Sequence, residues 1–228
     1  MARLSAEQLL NAWELGLGAG AVDQAILYLE AAGIEAGLLG VGAADRQLLR
    51  LRAQVLGPCV SAAAHCAGCG QVVEFELPAE VQDAAEASAG EYILEQERYT
   101  VHFRLPTMAD ASAAAASPDA AAALDVLRTK CIAAAHDLPE GVLAAVGSRM
   151  SELAAAGEIV LELRCPACAH TESVAFDAAS FVTREFDLLA RRTLAEVGAL
   201  ARSYGWSEQD ILAMSPRRRR KYLELADR

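Results

Sequence analysis

The sequence predicts an α+β fold, predominantly helical, with a small antiparallel β-sheet, and three observations predict it. Apolar residues recur at helical spacing through the first and last thirds of the chain. Two Cys-x-x-Cys units, Cys66-Ala-Gly-Cys69 and Cys165-Pro-Ala-Cys168, stand next to short strand-like runs. Between those runs the text becomes helical again, so the two halves of the sheet are far apart in sequence.

The first helix starts at Ser5-Ala6-Glu7-Gln8, a capping-box pattern, and carries Leu9, Leu10, Trp13 and Leu17. Gly16, Gly18 and Gly20 interrupt it. A second helix runs from Val22 to Ala32, and a third from Ala44 to Leu56, stopped by Gly57-Pro58. After the first cysteine pair, Gln71–Leu77 alternates polar and apolar residues as a strand does. Residues 79–89, acidic and alanine-rich, read as a mobile connection. Tyr92–Leu94 and Tyr99–Leu105 read as two further strands ended by Pro106. Thr107–Asp110 can cap a helix, Ser117-Pro118-Asp119 starts the next, and Pro139 precedes another through Val142, Leu143, Val146, Met150 and Leu153. Around the second pair the order is strand, knuckle, strand: Glu158–Leu163, Cys165–Cys168, Thr171–Phe176. From Asp177 the chain is helical, broken at Tyr204-Gly205-Trp206 and restarted at Ser207 and at Ser215-Pro216. The expected regions are 1–58 helical, 59–106 the first half of the β region, 107–155 a helical insertion, 156–177 the second half, and 178–228 helical with a basic end.

Two Cys-x-x-Cys loops are what a zinc ribbon needs, because four thiolates close a tetrahedron around one ion. The sheet is therefore expected to be zinc-ribbon-like, formed by two distant knuckles, with Cys66, Cys69, Cys165 and Cys168 as ligands of one structural Zn2+. The unusual feature is the 96 positions between Cys69 and Cys165. A thioredoxin-like redox pair needs a βαβ context that neither pair has. A deaminase-type site needs a His-x-Glu upstream of its cysteines, whereas His170-Thr171-Glu172 follows them. His65 and His170, each next to a pair, are the substitute ligands to consider. Cys59 and Cys131 read as small core residues. Four cysteine ligands leave no coordination position for water, and no phosphate-loop, dinucleotide, nucleophile-elbow or zincin motif is present. The chain is not expected to be an enzyme.

Charge narrows the partners. The 228 residues carry a net −11, which disfavours nucleic-acid binding through bulk charge. The sign is unevenly placed: residues 190–228 net +4 and the preceding 189 residues −15. The hydrophobic fraction is 54% but only 5% is aromatic, and alanine contributes little burial, so a mean hydropathy of +0.22 overstates the core. No apolar run is long enough for a membrane span, and the N-terminal residues do not form a signal-peptide core, so a cytoplasmic location is expected. Arg217-Arg218-Arg219-Arg220-Lys221 is a basic run. Successive helical residues turn by about 100°, so all five cannot face one groove. Tyr204 and Trp206 read as core or interface anchors rather than base-stacking platforms.

The stretch Leu200–Ser215, with Tyr204-Gly205-Trp206-Ser207-Glu208 and Ile211-Leu212 ahead of the basic helix ending in Tyr222-Leu223-Glu224-Leu225, resembles a signature of phage-tail proteins. Asp45–Arg52, the Cys66 knuckle leading to Val73-Glu74-Phe75, Phe103–Thr107, and Cys165–Cys168 before Phe176-Asp177 and Phe181 agree with zinc-bearing members of that group. Two departures stand out: Ala169 where a glycine is usual, and Ala43-Ala44 where a more polar pair is expected. The resemblance, to the baseplate and tail-assembly proteins of contractile phages and related contractile injection systems, implies a non-enzymatic structural or assembly component. It implies baseplate, hub or spike proteins as partners and incorporation into a phage-tail-like particle, with Tyr204, Trp206, Arg217, Arg218, Arg219 and Arg220 as the candidate contact residues. The competing reading is a zinc-ribbon nucleic-acid-binding or regulatory protein.

Overall fold

The computed structural model of the chain describes residues 4–77, 90–96 and 98–226. Helix α1 (Ala6–Leu15) begins at the expected capping box: Ser5 Oγ accepts from the Gln8 N–H, and Gln8 Oε1 accepts from the Ser5 N–H. Helix α2 (Ala21–Ala31) follows, then α3 (Val41–Leu56). Helix α3 starts three residues before the expected Ala44. Gly40 is its N-cap and offers no side chain to mark the start.

Among the described residues, six strands form three separate two-stranded antiparallel sheets, where one small sheet was expected. Strand β1 (Ser61–His65) pairs with β2 (Val72–Glu76), placing Ser61 opposite Glu76 and His65 opposite Val72. Strand β1 was not expected, since Ser-Ala-Ala-Ala-His has little intrinsic strand preference. Its pairing with β2 and the packing of Ala62 and Ala64 on the core hold it extended. Strand β3 (Glu91–Gln96) pairs with β4 (Tyr99–Arg104), and β5 (Val160–Arg164) with β6 (Thr171–Ala175). The connection read over 79–89 lies outside the described residues.

The second sheet stands apart from the other two because its apolar face serves a different core. Val101 and Phe103 of β4 pack with Ile132 and with Val142, Leu143 and Val146 of α6 (Glu140–Ala155). The second hairpin thus belongs with α6, and the cysteine pairs sit in the first and third hairpins. Leu161 and Leu163 of β5 and Phe75 of β2 instead join the main core with Tyr28, Leu29, Leu48 and Leu49. Helix α4 (Met108–Ala115) sends Met108 into that same core. Its capping box is built by Thr107 and Asp110, and α5 (Ala120–Cys131) is capped by Asp119.

Helix α7 (Ala178–Tyr204) is the spine. Its buried Val182, Phe186 and Ala190 fall at intervals of four and face α1, α2 and α3, with the Tyr28 and Phe186 rings edge-on at 4.9 Å. Gly205, at φ 69°, ends α7 in the left-handed region, and α8 (Glu208–Leu212) and α9 (Pro216–Ala226) fold back against it. Among the described residues no helix is long and apolar enough to cross a membrane.

Candidate metal centre

The structure brings all four expected cysteines together. Their sulfur atoms lie within 4.8 Å of one another, with Cys66–Cys168 at 3.6 Å and Cys69–Cys165 at 3.7 Å. Four sulfurs placed about 2.3 Å from a central ion at the corners of a regular tetrahedron are about 3.8 Å apart. A disulfide requires about 2.05 Å. The donor set and spacing therefore fit a tetrahedrally coordinated ion and no covalent pair. Among the described residues neither His65 nor His170 is in the cluster. The His65 ring faces the Gly70 carbonyl at 3.3 Å.

The two knuckles repeat one backbone design. The Cys66 N–H donates to the Gln71 carbonyl, and the Cys165 N–H to the His170 carbonyl, at 2.9 and 2.8 Å. The Gly70 and Ala169 N–H groups donate back to the Cys66 and Cys165 carbonyls at 2.8 and 2.9 Å. Gly70 and Ala169 both have positive φ, 72° and 61°. The knuckles also touch: a Cβ on Gly68 would lie 3.1 Å from the His170 ring, and the Ala67 N–H points to Glu172 Oε1 at 3.4 Å. Backbone N–H groups of Cys168 and Ala167 stabilise the Cys165 thiolate and, with the neighbouring thiols, bring its pKa down to about 7. Cys168 accepts from the His170 N–H, but sharing protons with Cys69, Cys66 and Cys165 pushes its pKa up to about 12. Such crowding of thiols favours an ion that displaces their protons.

Helices fix the position of this centre. Buried Arg52 of α3 grips Glu185 of α7 with Nε and Nη2 at 2.8 and 2.9 Å. Its Nη1 donates to the Gly57 and Cys59 carbonyls at 2.6 and 2.7 Å, which sets where β1 begins. Cys59 itself is exposed, so the core role expected for it is wrong: its carbonyl, not its thiol, faces inward to Arg52. Cys131 is buried as expected, and burial raises its thiol pKa.

At the opposite end of α7, Tyr204 and Trp206 stack at 4.4 Å, and Tyr222 meets Trp206 edge-on at 4.8 Å. Arg219, grouped with its neighbours as a contact residue, is only 2% exposed. It pairs with Glu196 of α7 at 3.0 Å and donates to the Met214 carbonyl at 2.9 Å, so it holds α9 in place and is closed to a partner. Arg217, Arg218 and Arg220 remain exposed. The signal for Arg219 was its helical phase, shared with Tyr222 and Leu223. Nothing near it in sequence pointed to Glu196, 23 residues away. A cavity of about 930 Å³ also separates the start of α3 from the second hairpin, with Asp45, His102, Arg104 and Glu158 on its walls. Comparison with protein-family models, curated proteins and solved structures finds no match to this chain.

Proposed function

We propose that this protein is a non-enzymatic structural or assembly component of a phage-tail-like contractile injection system or phage baseplate, stapled by one structural zinc ion and acting through protein–protein contacts. The observation that carries the reading is the four-sulfur cluster. Every ligand position around a bound ion would be filled by this chain, leaving no place for water or substrate, and the ion would join hairpins 96 residues apart. Four thiolates in a tetrahedron suit zinc, with iron the other metal of that geometry. The sequence resemblance supplies the setting, and the C-terminal corner supplies a contact surface of exposed Tyr204, Arg217, Arg218 and Arg220 beside half-buried Trp206.

Two measurements test this. Metal analysis of reduced, purified protein should return about one zinc per chain, and a ratio near zero would remove the staple. Co-expression with baseplate, hub and spike proteins of such a system should give a co-purifying complex that weakens when Arg217, Arg218 and Arg220 are reversed in charge. Absence of any complex would sink the assembly role. The nucleic-acid reading rests on the same exposed arginines. It requires binding that falls steeply with salt, against a molecule whose net charge is −11.

A further inference from the structure

Burial of Arg219 fixes the rotation of α9. With Arg219, Tyr222 and Leu223 turned toward α7, the opposite side of the helix carries Arg217, Arg220 and Lys221, which lie three and four residues apart and so share a face. Among the described residues Arg217 and Arg220 make no ion pair, and Lys221 meets only Glu224, at 2.7 Å. Leu225, four residues beyond Lys221, is 56% exposed on the same side. A basic, partly apolar helix face is thus left without a partner inside the described chain.

Its complement stands on the second hairpin. Strand β3 alternates, with Tyr92 and Leu94 packed against the α6 core and Glu91, Ile93 and Glu95 facing outward. Ile93 is 59% exposed, unusual for a large aliphatic in mid-strand, and it is flanked by the two carboxylates. The groups across from this stripe are Thr100 and His102, the latter 3.6 Å from Glu91. Arg104, opposite Glu91, is turned to Asp110.

We propose that α9 of one copy docks across the outward face of the β3–β4 hairpin of a second copy, Arg217, Arg220 and Lys221 meeting Glu91 and Glu95 while Leu225 covers Ile93. The occupant follows from charge complementarity. The two faces have opposite sign, each combines charge with one exposed aliphatic residue, and both are present on every molecule. The contact is heterologous, because one copy gives α9 and the next gives β3. It therefore builds a ring or a short filament, not only a dimer. Net charges of −11 repel at long range, but near physiological salt screening cuts that repulsion beyond about 8 Å and leaves the local contact. This inference stands apart from the assembly reading, since it concerns the purified chain alone.

Sedimentation velocity on the full chain tests it. Above the 24.0 kDa monomer, a ladder of larger species should grow with protein concentration at about 0.1 M salt and collapse to monomer at about 1 M. The variant R217E/R220E/K221E should be monomeric, and so should E91K/E95K. Mixed together, the two variants should associate again, because each now carries the complement of the other. That rescue separates a docking contact from damage to the fold. A chain that stays monomeric at every concentration, or that associates equally well in both variants, overturns the proposal. So does an oligonucleotide shift that R217E/R220E/K221E abolishes while the wild-type chain remains monomeric.

Discussion

Ala169 bears a backbone cost that its counterpart Gly70 avoids. Both close a knuckle at positive φ, where a Cβ crowds the following carbonyl by about 1–2 kcal/mol. Ala169→Gly should therefore raise stability by about 0.5–1 kcal/mol in urea unfolding, after the extra chain entropy of glycine is set against the relieved strain, and leave the metal ratio unchanged. Asp45 carries a different cost. Burial, reinforced by the nearby Asp177 charge and only partly offset by Arg46, raises its pKa to about 7. Since the folded form holds this proton more tightly than the unfolded chain, the associated stability is complete below about pH 4 and is lost as pH rises through about 7. Asp45→Asn cannot ionise. Its melting temperature relative to wild type should climb between about pH 5 and about pH 8.

Between elements, close approach matters more than pattern. A Cβ on Gly42 of α3 would lie 2.5 Å from the Gly157 carbonyl oxygen, which is backbone and has little room to move. One turn further, Arg46 donates to that same carbonyl at 3.0 Å. Gly42→Ala should push α3 away from this turn and cost about 1–3 kcal/mol by denaturant midpoint. Gly147→Ala, at an exposed mid-helix site with nothing within 4 Å, should instead stabilise by about 0.5–1 kcal/mol. The helices themselves were legible, because Ser5, Thr107, Asp119, Asp177 and Ser207 each cap where the sequence places them. The start of α3 was not, because a glycine N-cap followed by Val-Gly-Ala-Ala carries no capping signal. Strand β1 was not either, because its pairing with β2 and the main core, not its own residues, make it a strand.

Across the whole molecule, charge and the four-cysteine cluster are separate organising features. The acidic body and basic end were countable from the sequence, and so were four cysteines in two pairs. By itself the sequence determined the helical periodicity, the caps and the two cysteine pairs, each of which depends on residues within a turn or two of one another, and the uneven charge, which is a count along the chain. The tertiary structure alone decided that the cysteine pairs meet, that the middle hairpin joins α6 and leaves the cysteine hairpins, and that Arg219 turns inward while its neighbours stay out. Those outcomes depend on contacts between residues distant in the chain: Cys69 with Cys165, Phe103 with Val142, Arg219 with Glu196. Local propensity is blind to them, because burial and ion pairing are settled only when separate elements compete for the same core.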